Sequence, residues 1–214
     1  MKLFFDTETT GLVNWKLPFN DASQPSLIQL GLILTEDDGT VRRTLGLIFK
    51  RNDIPIEASN VHGITNEISQ AYGINASDEF KWQVADMFHN ASEIIAHNYA
   101  FDKVVLNKFL DGIGTLNDSK SFCTMLATTD ICKLPHKSPR RWPGQGAYKW
   151  PKCSEAYEHL FNEKLEGAHD ALTDVRACMR IYFELKHLQL THESMLEADK
   201  IVLPKGDSKR LGYK

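Results

Sequence analysis

The chain has 214 residues, of which 42% are hydrophobic and 25% are charged, with a net charge of -3 at pH 7. This length suits a single domain with a buried core, and this ordinary globular mix argues against wholesale disorder. Only three apolar residues stand between Lys2 and Asp6, and no apolar run approaches a membrane span, so we expect a soluble, cytoplasmic protein with no membrane partner.

The first fifty residues predict three short strands, at residues 2–6, 26–34 and 40–50. The turn Asp37-Asp38-Gly39 joins the second strand to the third, which indicates an antiparallel hairpin. The sheet therefore begins as a meander.

Helical spacing of apolar residues follows at 64–71 and 77–91, with Ser77 as the expected N-cap of the second helix. Residues 93–97 predict a buried strand and residues 100–109 a helix. This order puts Asp102 just beyond the carboxyl end of a strand.

The second half of the chain predicts a short strand at 121–126, a long loop at about 134–151 rich in proline and glycine, and helices at 154–161 and 170–188. The pattern at 128–133 favours neither helix nor strand. We expect an α/β domain over residues 1–203, with an antiparallel meander followed by parallel strands in a mixed sheet flanked by helices, and a polar tail at 204–214.

The first chemical motif is FDTETTGL, which carries Asp6 and Glu8. Residues two apart in a strand point to the same side, so both carboxylates can reach one spot while Thr7 faces away. Such hard oxygen ligands suit Mg²⁺ or Mn²⁺. The alternative is an ordinary polar strand end. Backbone N–H groups in the following turn could hold a substrate phosphate or ribose hydroxyl; the turn residues are Thr9, Thr10 and Gly11.

Two further motifs are AHNYAFD, which ends at Asp102, and HDALTD, which carries His169 and Asp174. Five residues along a helix rotate by about 140°, so His169 should lie in the loop before the helix, where its imidazole can fold back toward Asp174. A histidine there can accept a proton near neutral pH. Singly, each acidic residue could instead be a helix-start or solvated charge.

Together, in this order, the three motifs resemble those of the DEDDh 3′-to-5′ exonucleases, a family with a ribonuclease H-like fold that includes polymerase proofreading subunits. The resemblance extends over residues 4–177, and the stretch Val61-His62-Gly63-Ile64-Thr65 also looks like one common in proofreading members, where we expect a structural role.

The resemblance implies a two-metal mechanism. Asp6, Glu8 and Asp174 would hold one divalent ion, Asp6 and Asp102 would position a second, and His169 would activate the attacking water as general base. Nucleoside 5′-monophosphates would leave from the 3′ end. Substrate contacts are expected from Asn98 and from Leu12, which resembles the family's apolar wedge between terminal bases; ordinary core packing is the alternative for Leu12.

The loop at about 134–151 is an insertion relative to compact members of the family. Residues 133–152 contain six Lys or Arg and no Asp or Glu, which leaves -9 on the rest of the chain. Positive charges interleaved with aromatic rings are suited to binding the phosphates and stacking on the bases of single-stranded nucleic acid. The alternative is a solvated basic loop without a binding role. The residues predicted to grip the strand are Arg140, Arg141, Trp142 and Lys149.

The leading hypothesis is therefore a Mg²⁺-dependent or Mn²⁺-dependent exonuclease acting on single-stranded DNA or frayed 3′ ends, alone or beside a polymerase. An RNA-directed 3′-to-5′ exoribonuclease uses the same five side chains and stays open. A non-catalytic module that binds nucleic acid or a polymerase is disfavoured, because a scaffold does not need mutually repelling carboxylates. A ribonuclease H-like endonuclease fits the fold but explains His169 and the NxxFD motif, from Asn98 to Asp102, less well.

Overall fold

The computed structural model describes residues 1–116, 118–136 and 146–200, excluding the side chains of 192–200. One sheet in the order β3-β2-β1-β4-β5 runs through it. Its strands are β1 (Lys2–Thr9), β2 (Leu27–Thr35), β3 (Val41–Ile48), β4 (Glu93–Ala96) and β5 (Ser121–Cys123). The β1, β2 and β3 strands pair antiparallel, whereas β4 pairs parallel with both β1 and β5. The predicted mixed sheet, with its opening meander, is confirmed.

Helices cover both faces of this sheet. They are α1 (Ile56–His62), α2 (Asn66–Tyr72), α3 (Asp78–Asn90), α4 (Tyr99–Phe109), α5 (Thr124–Cys132), α6 (Cys153–Phe161) and α7 (Ala171–Lys200), with one turn of 3₁₀ helix at Asp118–Lys120. Within the described ranges, none of the helices combines the length and the apolar character needed to cross a bilayer.

Two local signals in the sequence are realised as predicted. Gly39 has φ 90°, the left-handed conformation that the hairpin turn requires. The Ser77 side chain accepts a hydrogen bond from the Phe80 N–H at 3.2 Å and caps α3. Both features depend only on near neighbours in the chain.

Four predictions of secondary structure are wrong. The first strand was predicted to end at Asp6 but continues to Thr9, which was expected in the following turn. The sequence pattern did not indicate α1, and the strand predicted at 121–126 ends at Cys123, where α5 begins and takes in the ambiguous 128–133 segment. The last helix continues from the predicted end at 188 to Lys200. Short apolar runs fit strand and helix equally well, so packing decided these cases.

Alternating residues of β1 face two different cores. Phe5 packs edge-on against Phe88 of α3 and Tyr99 of α4, with ring centroids 5.0 and 6.0 Å apart. Phe4 packs on the opposite face against Tyr182 of α7, at 5.4 Å. Because side chains alternate along a strand, Asp6 and Glu8 lie on the α7 face.

The start of α7 lies directly on β2. A Cβ atom added at Gly31 would stand only 2.5 Å from the Ala171 carbonyl oxygen, so only glycine permits this approach. The contact fixes the depth at which α7 begins, and hence the level of its first turn above β1.

The ends of the basic loop are described, and its centre is not. Residues 134–136 and 146–151 are neither helix nor strand, and the Lys149 N–H donates to the Leu134 carbonyl at 2.9 Å. Arg140, Arg141 and Trp142 lie outside the described residues, as does the predicted tail at 204–214. Their predicted roles stay predictions.

Candidate active site

The carboxylates of Asp6 and Glu8 project from the carboxyl end of β1. Both side chains are half-buried. The β1–β2 pairing shifts register between Glu8 and Thr9, so the regular ladder ends just beyond the two acids. The strand therefore presents both carboxylates at the rim of the sheet.

Asp102 joins them from the first turn of α4, where it is only 3% exposed. Its Oδ1 accepts hydrogen bonds from the Thr7 N–H at 3.0 Å and the Thr7 hydroxyl at 2.7 Å. Thr7 faces away from Asp6 and Glu8, as predicted, but the sequence did not reveal this role. It ties α4 to β1 and fixes Asp102 beside the strand.

His169 and Asp174 reach the site from the start of α7. His169 precedes the helix, as predicted, in a left-handed conformation with φ 71°. Its backbone N–H donates to Asp174 Oδ2 at 2.8 Å, so the turn folds back on the helix. One ligand atom each from Glu8, His169 and Asp174 lies within 4.8 Å of the other two.

Burial and the neighbouring negative charges raise the pKa values of the acidic groups. Burial, followed by the charges of Asp174 and Asp102, raises the pKa of Glu8 to about 8. Burial raises that of Asp102 to about 7 against the opposing hydrogen bonds of Thr7. The pKa of Asp6 is raised well above its ordinary value by burial and by the charges of Asp102, Asp174 and Glu8. Like charges this close cannot all ionise without a compensating cation.

This donor set fits divalent cations. Ligand atoms of Glu8, His169 and Asp174 converge within 4.8 Å, and Asp6 and Asp102 lie close enough for their charges to interact with this group. Oxygen-rich sets of this kind suit Mg²⁺ or Mn²⁺. The side chains that would hold such ions are Asp6, Glu8, Asp102 and Asp174.

The thermal stability of the metal-free protein should depend on pH because of this repulsion between carboxylates. A carboxyl group whose pKa is raised on folding stabilises the folded state while it is protonated, and this contribution is lost as the pH rises through the folded-state pKa. For Glu8 the loss begins above the ordinary pKa of 4.5 and is complete just above pH 8. We expect Tm in EDTA to fall by about 3 °C or more between about pH 7 and about pH 8.5.

Scanning calorimetry of the parent and of Glu8→Gln checks this expectation. The amide does not titrate, so the variant should lose less stability over the same interval. Starting at about pH 7 keeps the buried His97 out of the comparison, because burial lowers the pKa of its imidazole to about 4. An equal or rising Tm for the parent would contradict the assignment of these pKa values.

Sequence analysis overlooked Gln29, which holds the first turn of α7. Gln29 lies on β2 directly opposite Glu8 and is 7% exposed. Its Nε2 donates to Asp170 Oδ2 at 2.9 Å, and its Oε1 accepts from the Ala171 N–H at 3.1 Å. Asp170 in turn accepts from the Thr173 N–H at 2.9 Å. A polar residue within the apolar run SLIQLGLIL was the available signal.

Replacing Gln29 with methionine should remove the hydrogen bonds that hold the first turn of α7 while leaving the packing volume nearly unchanged. The variant keeps most of the side-chain volume but leaves the Ala171 N–H without its acceptor, which costs about 1 to 3 kcal/mol. We expect Mn²⁺ affinity to fall about 10-fold or more, because Asp174 and His169 are carried on the turn that Gln29 holds. A Mn²⁺ titration followed by Tm measures this.

Thr35→Val on the same strand is the matched control. Thr35 is fully buried, and its hydroxyl has no hydrogen-bond partner among the described residues. It lies at the far end of β2 from Gln29, so Mn²⁺ affinity should stay at the parent value. Equal losses in both variants would mean that Gln29 acts only through general stability.

The predicted substrate-binding turn differs in detail from expectation. The Thr10 N–H donates to the Ser26 carbonyl at 3.0 Å, and the Thr9 hydroxyl donates to the Gly11 carbonyl at 2.7 Å. The Thr10 N–H is therefore engaged within the protein, contrary to the expected free donor. Leu12 is 89% exposed, which excludes core packing for it.

Asn98 is the N-cap residue of α4, with φ 73°, and is half-buried between β4 and the helix that carries Asp102. Asparagine tolerates this left-handed conformation better than most residues do. Its predicted contact with substrate stays a prediction.

Lys149 is not a free cation. Its Nζ lies 2.5 and 2.6 Å from the two carboxylate oxygens of Glu155 on α6. The same carboxylate accepts from the Lys152 N–H at 2.7 Å, so Lys149 holds the end of the basic loop against α6. The predicted grip on substrate would have to compete with this ion pair.

Like Gln29, His62 lies near the site, and sequence analysis did not connect it with the site. Its Nδ1 accepts from the Ile64 N–H at 3.1 Å. Burial lowers the pKa of the imidazole against the opposing effect of the Thr9 backbone, and the nearby charge of His169 adds to the lowering. The neutral ring therefore lies close to the site.

The chain is similar to known exonucleases. The family model of the exonucleases termed RNase_T matches residues 3–182. The chain is 26% identical over 190 residues to the DNA polymerase III subunit epsilon of Treponema pallidum (strain Nichols), covering 83% of this chain and 73% of that protein. It is 30% identical over 183 residues to the uncharacterised exonuclease CP81 of Escherichia phage 186, covering 84% and 85%.

Among solved structures, exonuclease I of E. coli in complex with a dT13 oligonucleotide superimposes with a TM-score of 0.64 at 20% identity, over 91% of this chain. The chain spans only 43% of that protein's length, so the likeness concerns the fold, which is ribonuclease H-like. With the family model matching most of its length, the chain belongs to the RNase_T exonuclease family.

Proposed function

We propose that this protein is a metal-dependent 3′-to-5′ exonuclease that hydrolyses single-stranded or frayed DNA to nucleoside 5′-monophosphates. The observation that carries the proposal is the meeting of Glu8, His169 and Asp174 within 4.8 Å, beside two further carboxylates that share the same repulsion. Hydrolysis of a phosphodiester needs compensation of developing negative charge and a group that accepts a proton from water.

Asp6, Glu8, Asp102 and Asp174 would hold two divalent ions, Mg²⁺ or Mn²⁺. When bound, such ions supply Lewis-acid stabilisation of the charge that develops on the phosphate. The chain's own contribution is a rigid frame: Thr7 fixes Asp102, and the His169 N–H fixes Asp174.

His169 is proposed as the general base. Its side chain is exposed, so water can reach the imidazole, while the backbone turn holds the ring beside Asp174. An imidazole that water can reach is suited to take up a proton from it near neutral pH.

DNA is proposed as the substrate, and a polymerase as a partner, from the names of relatives. One relative is a DNA polymerase III subunit, and one solved neighbour holds a dT13 oligonucleotide. Co-purification from an extract of cells that express the tagged chain would test the polymerase.

The activity is tested with end-labelled oligonucleotides in matched DNA and RNA versions. We expect Mg²⁺-dependent release of mononucleotides from the 3′ end of DNA, and none in EDTA. Faster digestion of the RNA version would assign the chain to the exoribonucleases instead. Cleavage of a circular single strand would replace the exonuclease proposal with an endonuclease.

A further inference from the structure

The loop of residues 11–25 follows β1 and begins at the edge of the candidate site. Its base is closed where the Thr10 N–H donates to the Ser26 carbonyl at 3.0 Å and the Ser26 N–H donates to the Thr10 hydroxyl at 2.9 Å. Thr10 is only two residues beyond Glu8. Loops whose ends meet in this way are compact surface units that often carry function.

A buried glutamine organises this loop from within. Gln24 is 3% exposed, and its Oε1 accepts from the Asn14 N–H at 3.0 Å. Its Nε2 donates to the carbonyls of Asn14 at 2.9 Å, Leu17 at 3.2 Å and Pro18 at 3.2 Å. From outside, Lys108 of α4 donates to the carbonyls of Ala22 and Gln24 at 3.1 and 2.5 Å. The loop is therefore held in one shape.

The shape displays large apolar side chains to solvent. Trp15 is 58% exposed and Leu12 is 89% exposed, whereas Val13 between them is buried and anchors the loop. The backbone on both sides of Trp15 is fixed, because the Lys16 N–H donates to Asn14 Oδ1 and the Leu17 N–H to the Asn14 carbonyl, each at 3.1 Å. An exposed indole on an ordered turn can stack against another planar ring.

We propose that Trp15 stacks on a base of the single strand whose 3′ end enters the carboxylate site, an inference that rests on the proposed function. An aromatic face accepts any base, which suits an enzyme that must digest every sequence. Trp15 is five residues from Thr10, so it lies at most about 17 Å from the site's edge. Stacked nucleotides rise about 3.4 Å each, so a base within about five nucleotides of the 3′ end is in reach.

Three variants test the proposal in binding and in catalysis. Binding is followed by the anisotropy of a labelled oligothymidylate in EDTA, where no cleavage occurs. Trp15→Ala should weaken it about 10-fold, and Trp15→Phe should restore most of the loss. Trp82→Ala is the control, because Trp82 is equally exposed, at 59%, on α3. It should bind like the parent.

The chemistry of the site is followed separately with the p-nitrophenyl ester of thymidine 5′-monophosphate, which has no upstream base. Trp15→Ala should hydrolyse this ester at the parent rate. Unchanged oligonucleotide binding in Trp15→Ala would overturn the stacking proposal, and so would a matching loss on the ester. A parent protein that binds the oligonucleotide but leaves both substrates intact would overturn the proposed function alone.

Discussion

Replacing Asp6 with asparagine should strongly reduce nuclease activity and at the same time stabilise the metal-free protein. Asp6 stands between the charges of Asp102, Asp174 and Glu8, and burial together with these charges raises its pKa well above the ordinary value. The amide removes that repulsion but is a poor ligand for a divalent ion. We expect turnover to fall about 10³-fold, which corresponds to about 4 kcal/mol of transition-state stabilisation.

The opposite signs of the two effects separate a lost function from a lost fold. In EDTA at about pH 8, Asp6→Asn should unfold at a higher temperature than the parent, by about 1 kcal/mol of added stability. Mn²⁺ should then raise Tm strongly in the parent and weakly in the variant. Asp111→Asn, at an exposed position just after α4, is the control for loss of one charge. An Asp6→Asn protein that digests DNA at the parent rate would refute the site.

The second large effect is expected at His169. Loss of a general base costs about 10²-fold to 10⁴-fold in kcat. Asparagine is the better replacement, because residue 169 has φ 71° and asparagine accepts this conformation. His169→Asn also keeps the backbone N–H that binds Asp174.

The same variant distinguishes a proton acceptor from a metal ligand. His169 lies close enough to Glu8 and Asp174 to bind an ion with them. If it acts as base, kcat falls while Mn²⁺ affinity, measured by the metal dependence of Tm, stays near the parent value. A parallel fall in Mn²⁺ affinity would assign the imidazole to metal binding and leave the base to another group.

Much of the framework followed from short-range pattern. The alternation along β1 predicted that Asp6 and Glu8 share a side, and Phe4 and Phe5 pack on opposite faces accordingly. The left-handed Gly39 and the Ser77 cap also followed from near neighbours. The α5 helix did not, because its apolar run is too short for spacing alone to separate helix from strand.

The sequence by itself determined the order of the strands and of most helices, and the types of side chain available for chemistry, because backbone preference and side-chain alternation act over a few residues. Only the tertiary structure decided how those side chains are held. Thr7 meets Asp102 across 95 positions, and Gln29 meets Ala171 across 142. Such partners depend on strand register and on the depth at which α7 lies on Gly31, which no local pattern encodes.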